Sequence, residues 1–129
     1  MRGFMRILLV DDDNEIRFAL ANVFQTKHKF TVVEACSGSE AIATISSHDK
    51  FSLIISDYQM DNGNGQVIVD FLKNQQVDVP FIFFSGSQEI KATVVGGPVV
   101  KCFSKSEIFH LIEYVDNFFK QTVSERVVS

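Results

Sequence analysis

The chain has no tryptophan, two cysteines, two prolines, and fewer basic than acidic residues among its 129 positions. Each shortage narrows what it can do. Cys36 and Cys102 have no Cys-x-x-Cys partner and no histidine at ligand spacing, which argues against a disulfide framework or a zinc site. They read as reduced thiols of a cytoplasmic protein. Twelve Lys and Arg against sixteen Asp and Glu leave a net charge of −4, which disfavours direct nucleic-acid binding. No apolar stretch approaches the ~20 residues that a membrane span requires. The first six residues, Met1-Arg2-Gly3-Phe4-Met5-Arg6, lack the apolar region of a signal peptide. His28, His48 and His110 are scattered and none stands beside an acidic cluster, which disfavours a histidine–carboxylate metallohydrolase and leaves all three without a role. No internal repeat or low-complexity segment is present.

What is abundant is apolar residue, 46% of the chain, including 13 phenylalanines. That is enough for the core of one domain, taken as residues 1–129. Short β-branched or aromatic runs alternate with segments of helical period, as buried parallel strands and their crossover helices do. Ile16, Ala19, Leu20, Val23 and Phe24 mark a helix over 14–27, capped by Asn14 or Asp13. A strand follows over 30–35. Ala41, Ile42 and Ile45 mark a second helix opened by Ser37-Gly38-Ser39-Glu40, and Val67, Ile68, Phe71 and Leu72 a third that stops before Val79-Pro80. Ile108, Leu111, Ile112, Val115, Phe118 and Phe119 give the last and strongest, over 105–121. The order βαβαβαβαβα predicts an α/β fold with a doubly wound, five-stranded parallel sheet. Its fourth helix is expected to be short or irregular, because only 88–95 is available, Thr93-Val94-Val95 are poor helix formers, and Gly96-Gly97-Pro98 breaks the chain.

The informative pattern lies where the apolar runs end. Ile7–Val10 runs into Asp11-Asp12-Asp13, Phe51–Ser56 into Asp57, Phe81–Phe84 into Ser85, and Val99-Val100 leads through Cys102 and Phe103 to Lys105. Taken singly, these are a solvated turn, a turn residue before Gly63-Asn64-Gly65, a plain loop and a surface lysine. Taken together, they place carboxylates, a hydroxyl and an ammonium at the carboxyl ends of parallel strands, where open α/β sheets bind ligands. Neighbouring strands lie ~4.8 Å apart, so Asp11, Asp12 and Asp57 converge on one ion if their strands are adjacent. Asp13 reads as a helix cap and Asp61 as a loop residue.

These residues carry a resemblance to the receiver domain of two-component response regulators, covering the chain from Arg6 to about Gln121. Leu9-Val10-Asp11-Asp12-Asp13 matches the acidic pair after the first strand, and Asp57-Tyr58-Gln59-Met60 with Gly65 the phosphoacceptor loop. Ser85-Gly86 and Lys105 match the positions after the fourth and fifth strands, and the spacings of 45 from Asp12 to Asp57, 28 to Ser85 and 20 to Lys105 are those of such a domain. The resemblance implies a (βα)5 flavodoxin-like fold with strand order 2-1-3-4-5. It implies Asp57 as phosphoacceptor, with Ser85 and Lys105 on the phosphoryl oxygens. It also implies Mg2+, held by Asp12, Asp57 and the backbone carbonyl of Gln59, with Asp11 acting through water. The implied partners are a histidine kinase or histidine phosphotransfer domain, and a downstream protein or an output domain outside this chain. Self-pairing would use the face of the fourth helix, fifth strand and fifth helix. On this reading the chain is a signalling protein and not an enzyme, beyond slow self-dephosphorylation tuned by Gln59 and Ser87.

Three positions depart from the family pattern. Asp61 stands where a proline usually follows the methionine, loosening the loop and adding a charge. Ser106 replaces the proline after the lysine, so the preceding bond should be trans and Lys105 less rigidly aimed. Cys102 occupies the place of the switch aromatic, three before the lysine, and Phe103 faces the other way because adjacent strand residues alternate. The departures motivate an alternative, a pseudo-receiver whose protein contacts are independent of phosphorylation. A third class, the aspartyl-phosphate hydrolases, places an acid/base Asp two residues after the nucleophile. Here that residue is Gln59, and the class is disfavoured.

Overall fold

The computed structural model describes residues 5–47, 50–86 and 96–128, with side chains through residue 121. Five strands, β1 (Arg6–Val10), β2 (Thr31–Ala35), β3 (Leu53–Ser56), β4 (Phe81–Ser85) and β5 (Val99–Ser104), form one sheet. Their order is β2-β1-β3-β4-β5, and every pairing is parallel, as expected. Among the described residues four helices accompany them: α1 (Asn14–Thr26), α2 (Gly38–Ser47), α3 (Gly65–Asn74) and α4 (Ile108–Val128), the last preceded by a 3-10 turn at Lys105–Glu107. The last helix therefore runs seven residues past its expected end at 121. The expected fourth crossover helix at 88–95, together with Ser87 and His48, lies outside the described residues.

Strand alternation sorts the core into two layers. Ile7, Leu9, Leu53, Ile55, Ile82 and Phe84 face α1 and α4, meeting Leu20, Phe24, Leu111 and Val115. Leu8, Val10, Ile54, Phe81 and Phe83 face α2 and α3, meeting Ala41, Ile68, Val69 and Leu72. The central strands β1, β3 and β4 are buried on both faces, which is why they read as continuous apolar runs.

Two helices sit about one residue out of phase with the expected apolar stripe. In α1 the inward residues are Arg17, Leu20, Ala21 and Phe24, and Ala19 is exposed. In α3 they are Gly65, Ile68, Val69 and Leu72, and Val67 is exposed. Both sets keep the i, i+3, i+4, i+7 spacing of a helix face. Each begins with a residue that an apolar count overlooks, an arginine in one and a glycine in the other.

Asp13 caps α1, its carboxylate accepting from the N–H groups of Glu15 and Ile16 at 3.0 and 3.3 Å. At the far end of α1, His28 stacks on Phe30 and its Nδ1 lies 3.1 Å from Asp116 of α4. Phe30 in turn meets Phe119 at 4.7 Å between ring centres, so this histidine belongs to an aromatic seam between the two helices.

Phe24 is fully buried at the centre of that seam, whereas Phe18, in the same helix, is 56% exposed. Phe24→Ala is expected to cost about 3–5 kcal/mol of stability in urea unfolding. Phe18→Ala should stay within about 0.5 kcal/mol of wild type. Equal effects of the two would contradict this packing.

Candidate functional site

The β1–β3 register opposes Val10 and Ser56, so the next residue on each strand is a carboxylate, Asp11 and Asp57. The Asp57 N–H donates to the Val10 carbonyl at 2.9 Å, extending the ladder by one bond and holding the two strand ends together. Asp12 follows on the open side. Carboxylate oxygens of Asp11, Asp12 and Asp57 lie within 4.8 Å of one another. On the other side of β3, β4 ends at buried Ser85, paired in register with Ser104 of β5, and Lys105 comes next.

Lys105 reaches back across the strand ends. Its Nζ donates to Asp11 Oδ2 at 2.8 Å, lies 3.5 Å from Asp57 Oδ2, and sits 5.5 Å from the centre of the Phe84 ring. Asp11 is 4% exposed, yet both its oxygens are satisfied, since Oδ1 accepts the Asp13 N–H at 2.9 Å. Asp57 Oδ1 accepts the Tyr58 N–H at 2.7 Å. The Ser85 hydroxyl lies on the Asp57 side of the site and favours its ionised form. Gln59 lies in the exposed bend two residues beyond Asp57.

The charges compete. Burial pushes the Asp57 carboxyl above the ordinary carboxylate range, with Asp11 adding to the rise, while Lys105, the Ser85 hydroxyl and the Tyr58 N–H work against it. For Lys105, burial favours the neutral amine, but Asp11 and then Asp57 outweigh it and hold the ammonium above the usual lysine range. One ammonium thus stands among three carboxylates. An oxygen-only donor set with that excess of negative charge suits a hard divalent cation such as Mg2+.

The loop after Asp57 is set by glycine. A Cβ on Gly65 would come within 2.5 Å of the Asp57 carbonyl oxygen and 2.6 Å of the Phe83 ring, so α3 approaches the end of β3 only without a side chain there. Asn64 caps that helix through Gln66 N and Val67 N. Asp61, read as a loosening of this loop, instead tethers it: its N–H, which a proline would lack, donates to Asp12 Oδ2 at 3.3 Å. Ser106, where a proline was expected, bonds Ser104 Oγ to Oγ at 2.6 Å after a trans peptide, and Lys105 is held by its two carboxylates.

The clearest omission from the sequence reading is Arg17. Its Nη1 donates to the Asp11 carbonyl at 2.5 Å, Nη2 to Asn14 at 2.8 Å and Nε to Glu34 of β2 at 2.9 Å. The available signal was position: Arg17 lies three and four residues before Leu20 and Ala21 on the inward face.

β5 carries a bulge. Phe81 pairs with Val99 but Ile82 pairs with Lys101, so Val100 is the extra residue. Beyond it, Cys102 packs on the α2–α3 side and Phe103 on the α1–α4 side, edge-on to Tyr114 at 5.6 Å. Phe103 does not replace the switch aromatic.

Residues 7–113 match the response regulator receiver domain, and the chain belongs to that family. It is 30% identical over 88 residues to the response regulator SaeR of Staphylococcus aureus, covering 68% of this chain and 37% of SaeR. It is also 30% identical over 90 residues to the sensor kinase CckA of Brucella abortus, covering 69% of this chain and 9% of CckA. The chain thus spans well under half the length of either relative. Among solved structures, the response regulator TrrA of Thermotoga maritima, in complex with Mg2+ and a beryllium fluoride, superposes with a TM-score of 0.78. That alignment covers 88% of this chain and 98% of TrrA at 24% identity. Among the described residues, no helix is long and apolar enough to cross a membrane.

The folded protein holds a proton on Asp57 more tightly than the unfolded chain does. Stability from this group is therefore full below the ordinary carboxylate value and lost as pH rises through the raised one. Asp57→Asn is neutral throughout. It should melt at a higher temperature than wild type at pH 7 without divalent cations, and the gain should shrink as pH falls toward 4. Calorimetry across that range checks it; equal melting at pH 7, or a gain that grows on acidification, would contradict the burial argument.

Proposed function

We propose that this chain is a phosphoacceptor receiver, taking a phosphoryl group from a histidine kinase or phosphotransfer protein onto Asp57 with Mg2+. It then signals through protein contact in the cytoplasm. One observation carries the reading: three carboxylates and one ammonium from the ends of β1, β3 and β5 meet at one point.

The chemistry follows from those groups. An Asp57 carboxylate oxygen attacks the phosphohistidine phosphorus; the P–O bond forms as the P–N bond breaks, and the imidazole leaves. Asp12, Asp57 and the Gln59 carbonyl would hold Mg2+, with Asp11 acting through water, and the ion would supply neutralisation of charge on the phosphoryl oxygens. Lys105 leaves its Asp11 contact to pair with another of these oxygens. Ser85 Oγ donates to a third. No acid/base carboxylate stands at Gln59, so turnover of the acyl phosphate is slow, and the chain acts as a switch and not as a hydrolase.

Incubation with acetyl phosphate and Mg2+ should add one phosphoryl group per chain, read by intact mass, and none to Asp57→Asn. No labelling at any Mg2+ concentration would refute the reading.

A second reading, a pseudo-receiver with constitutive contacts, is favoured by Cys102 in place of an aromatic on the α2–α3 side of β5. Amide shifts on adding beryllofluoride separate the two. Shifts reaching β5 and α4 support a phosphorylation-dependent output. Shifts confined to 11–13 and 57–61 support constitutive contacts.

A further inference from the structure

Among the described residues, Asp11 and Arg17 are the charged side chains that are buried, and they are joined. Arg17 comes from the first turns of α1 and enters beneath the acidic loop. It shares the wall of a small cavity with Asp11, Asp57 and Phe84. Its fork is fully engaged, with the Asp11 carbonyl, Asn14 Oδ1 and Glu34 Oε1 each taking one nitrogen.

The bond to Asp11 matters because of where the carbonyl lies. The Asp11 N–H closes the β1–β2 ladder on Ala35 at 3.1 Å, and the Val10 carbonyl closes the β1–β3 ladder on Asp57. The chain then leaves the sheet, and α1 begins at Asn14. The peptide joining Asp11 to Asp12 is the first unit past both ladders. A peptide is planar, so fixing its carbonyl oxygen fixes its plane and the direction in which Asp12 departs. A planar guanidinium held at three corners can hold that oxygen in one place; an ammonium on a flexible stem cannot.

We propose that Arg17 is a positioning residue for the divalent-cation site. By pinning the Asp11–Asp12 peptide, it makes the carboxylates of Asp11 and Asp12 meet that of Asp57. Glu34 and Asn14 hold the guanidinium in that pose. This rests on the receiver reading above, in which those carboxylates hold Mg2+. The positive charge of Arg17 by itself works in the opposite direction, repelling a cation. Geometry and charge therefore predict opposite signs when Arg17 is removed.

The test is calorimetric titration of the full chain with Mg2+, for wild type, Arg17→Lys, Arg17→Gln and Glu34→Ala, each shown to be folded by circular dichroism. Loss of an outer-shell partner costs on the order of 10–100-fold in metal affinity. Arg17→Gln and Arg17→Lys should both weaken Mg2+ binding by about tenfold or more, with faster amide exchange at Asp12 and Asp13. Glu34→Ala, which removes the acceptor of the Arg17 Nε at an exposed position, should weaken it by a smaller factor and serves if the Arg17 variants do not fold. Unchanged or tighter binding in Arg17→Gln, wild-type binding in Arg17→Lys, or no weakening in Glu34→Ala would overturn the proposal. Wild type that binds no Mg2+ would overturn the receiver reading along with it. Lower melting temperatures with unchanged Mg2+ affinity would mark Arg17 as structural only and likewise overturn the proposal.

Discussion

The constraint on which the structure turns is the meeting of like charges at the carboxyl ends of β1 and β3. Parallel pairing in this register leaves Asp11 and Asp57 on adjacent strand ends, and Asp12 on the same loop, with oxygens inside 4.8 Å. Carboxylates so placed repel and resist joint ionisation. Lys105 relieves part of the conflict by lying 2.8 Å from one and 3.5 Å from another. It does so from β5, two strands away, which requires β4 and β5 to be in place first. The site is therefore not a local motif. It exists only when the order β2-β1-β3-β4-β5 is complete.

That dependence explains what the sequence discloses. Strand ends are legible because a central strand, buried on both faces, is an unbroken apolar run, and the first polar residue after it marks its mouth. Asp11 and Ser85 follow from that rule, and Asp57 lies one residue beyond Ser56, which β3 keeps buried. Helix faces are harder. In α1 the inward set starts with Arg17, and in α3 with Gly65, neither of which contributes to an apolar stripe. Both are inward because of what they touch: Arg17 the Asp11 carbonyl, Gly65 the backbone at Asp57. A periodicity argument measures hydrophobicity and does not register a polar partner or the need for empty space. Asp61 shows the same limit, because its effect comes from a main-chain N–H and not from its side chain.

The fifth strand illustrates a different limit. Alternation alone assigns Cys102 and Phe103 to opposite faces, but not which residue takes which face, because that depends on parity along the strand. The bulge at Val100 inserts one residue and resets that parity. As a result Val99 and Cys102, three apart, share the α2–α3 side, and Phe103 joins Tyr114 and Leu111 on the other. A small thiol thus lies beside Phe83, its cross-strand partner, on the face where Tyr58 also packs edge-on at 5.4 Å.

The aromatic content takes its meaning from this arrangement. The ring that follows Asp57 in sequence, Tyr58, packs edge-on against Phe83 of β4, and its N–H holds Asp57 Oδ1. Movement of the Asp57 carboxylate and movement of the Tyr58 ring share one main-chain link. Phe83 connects that ring to β5, and it also closes the space above Gly65 at the start of α3. A change at Asp57 therefore has a packed route into α3 and β5 that does not require an aromatic at position 102. With Cys102 at that position, the phenylalanines of β4 are what join Asp57 mechanically to the rest of the sheet.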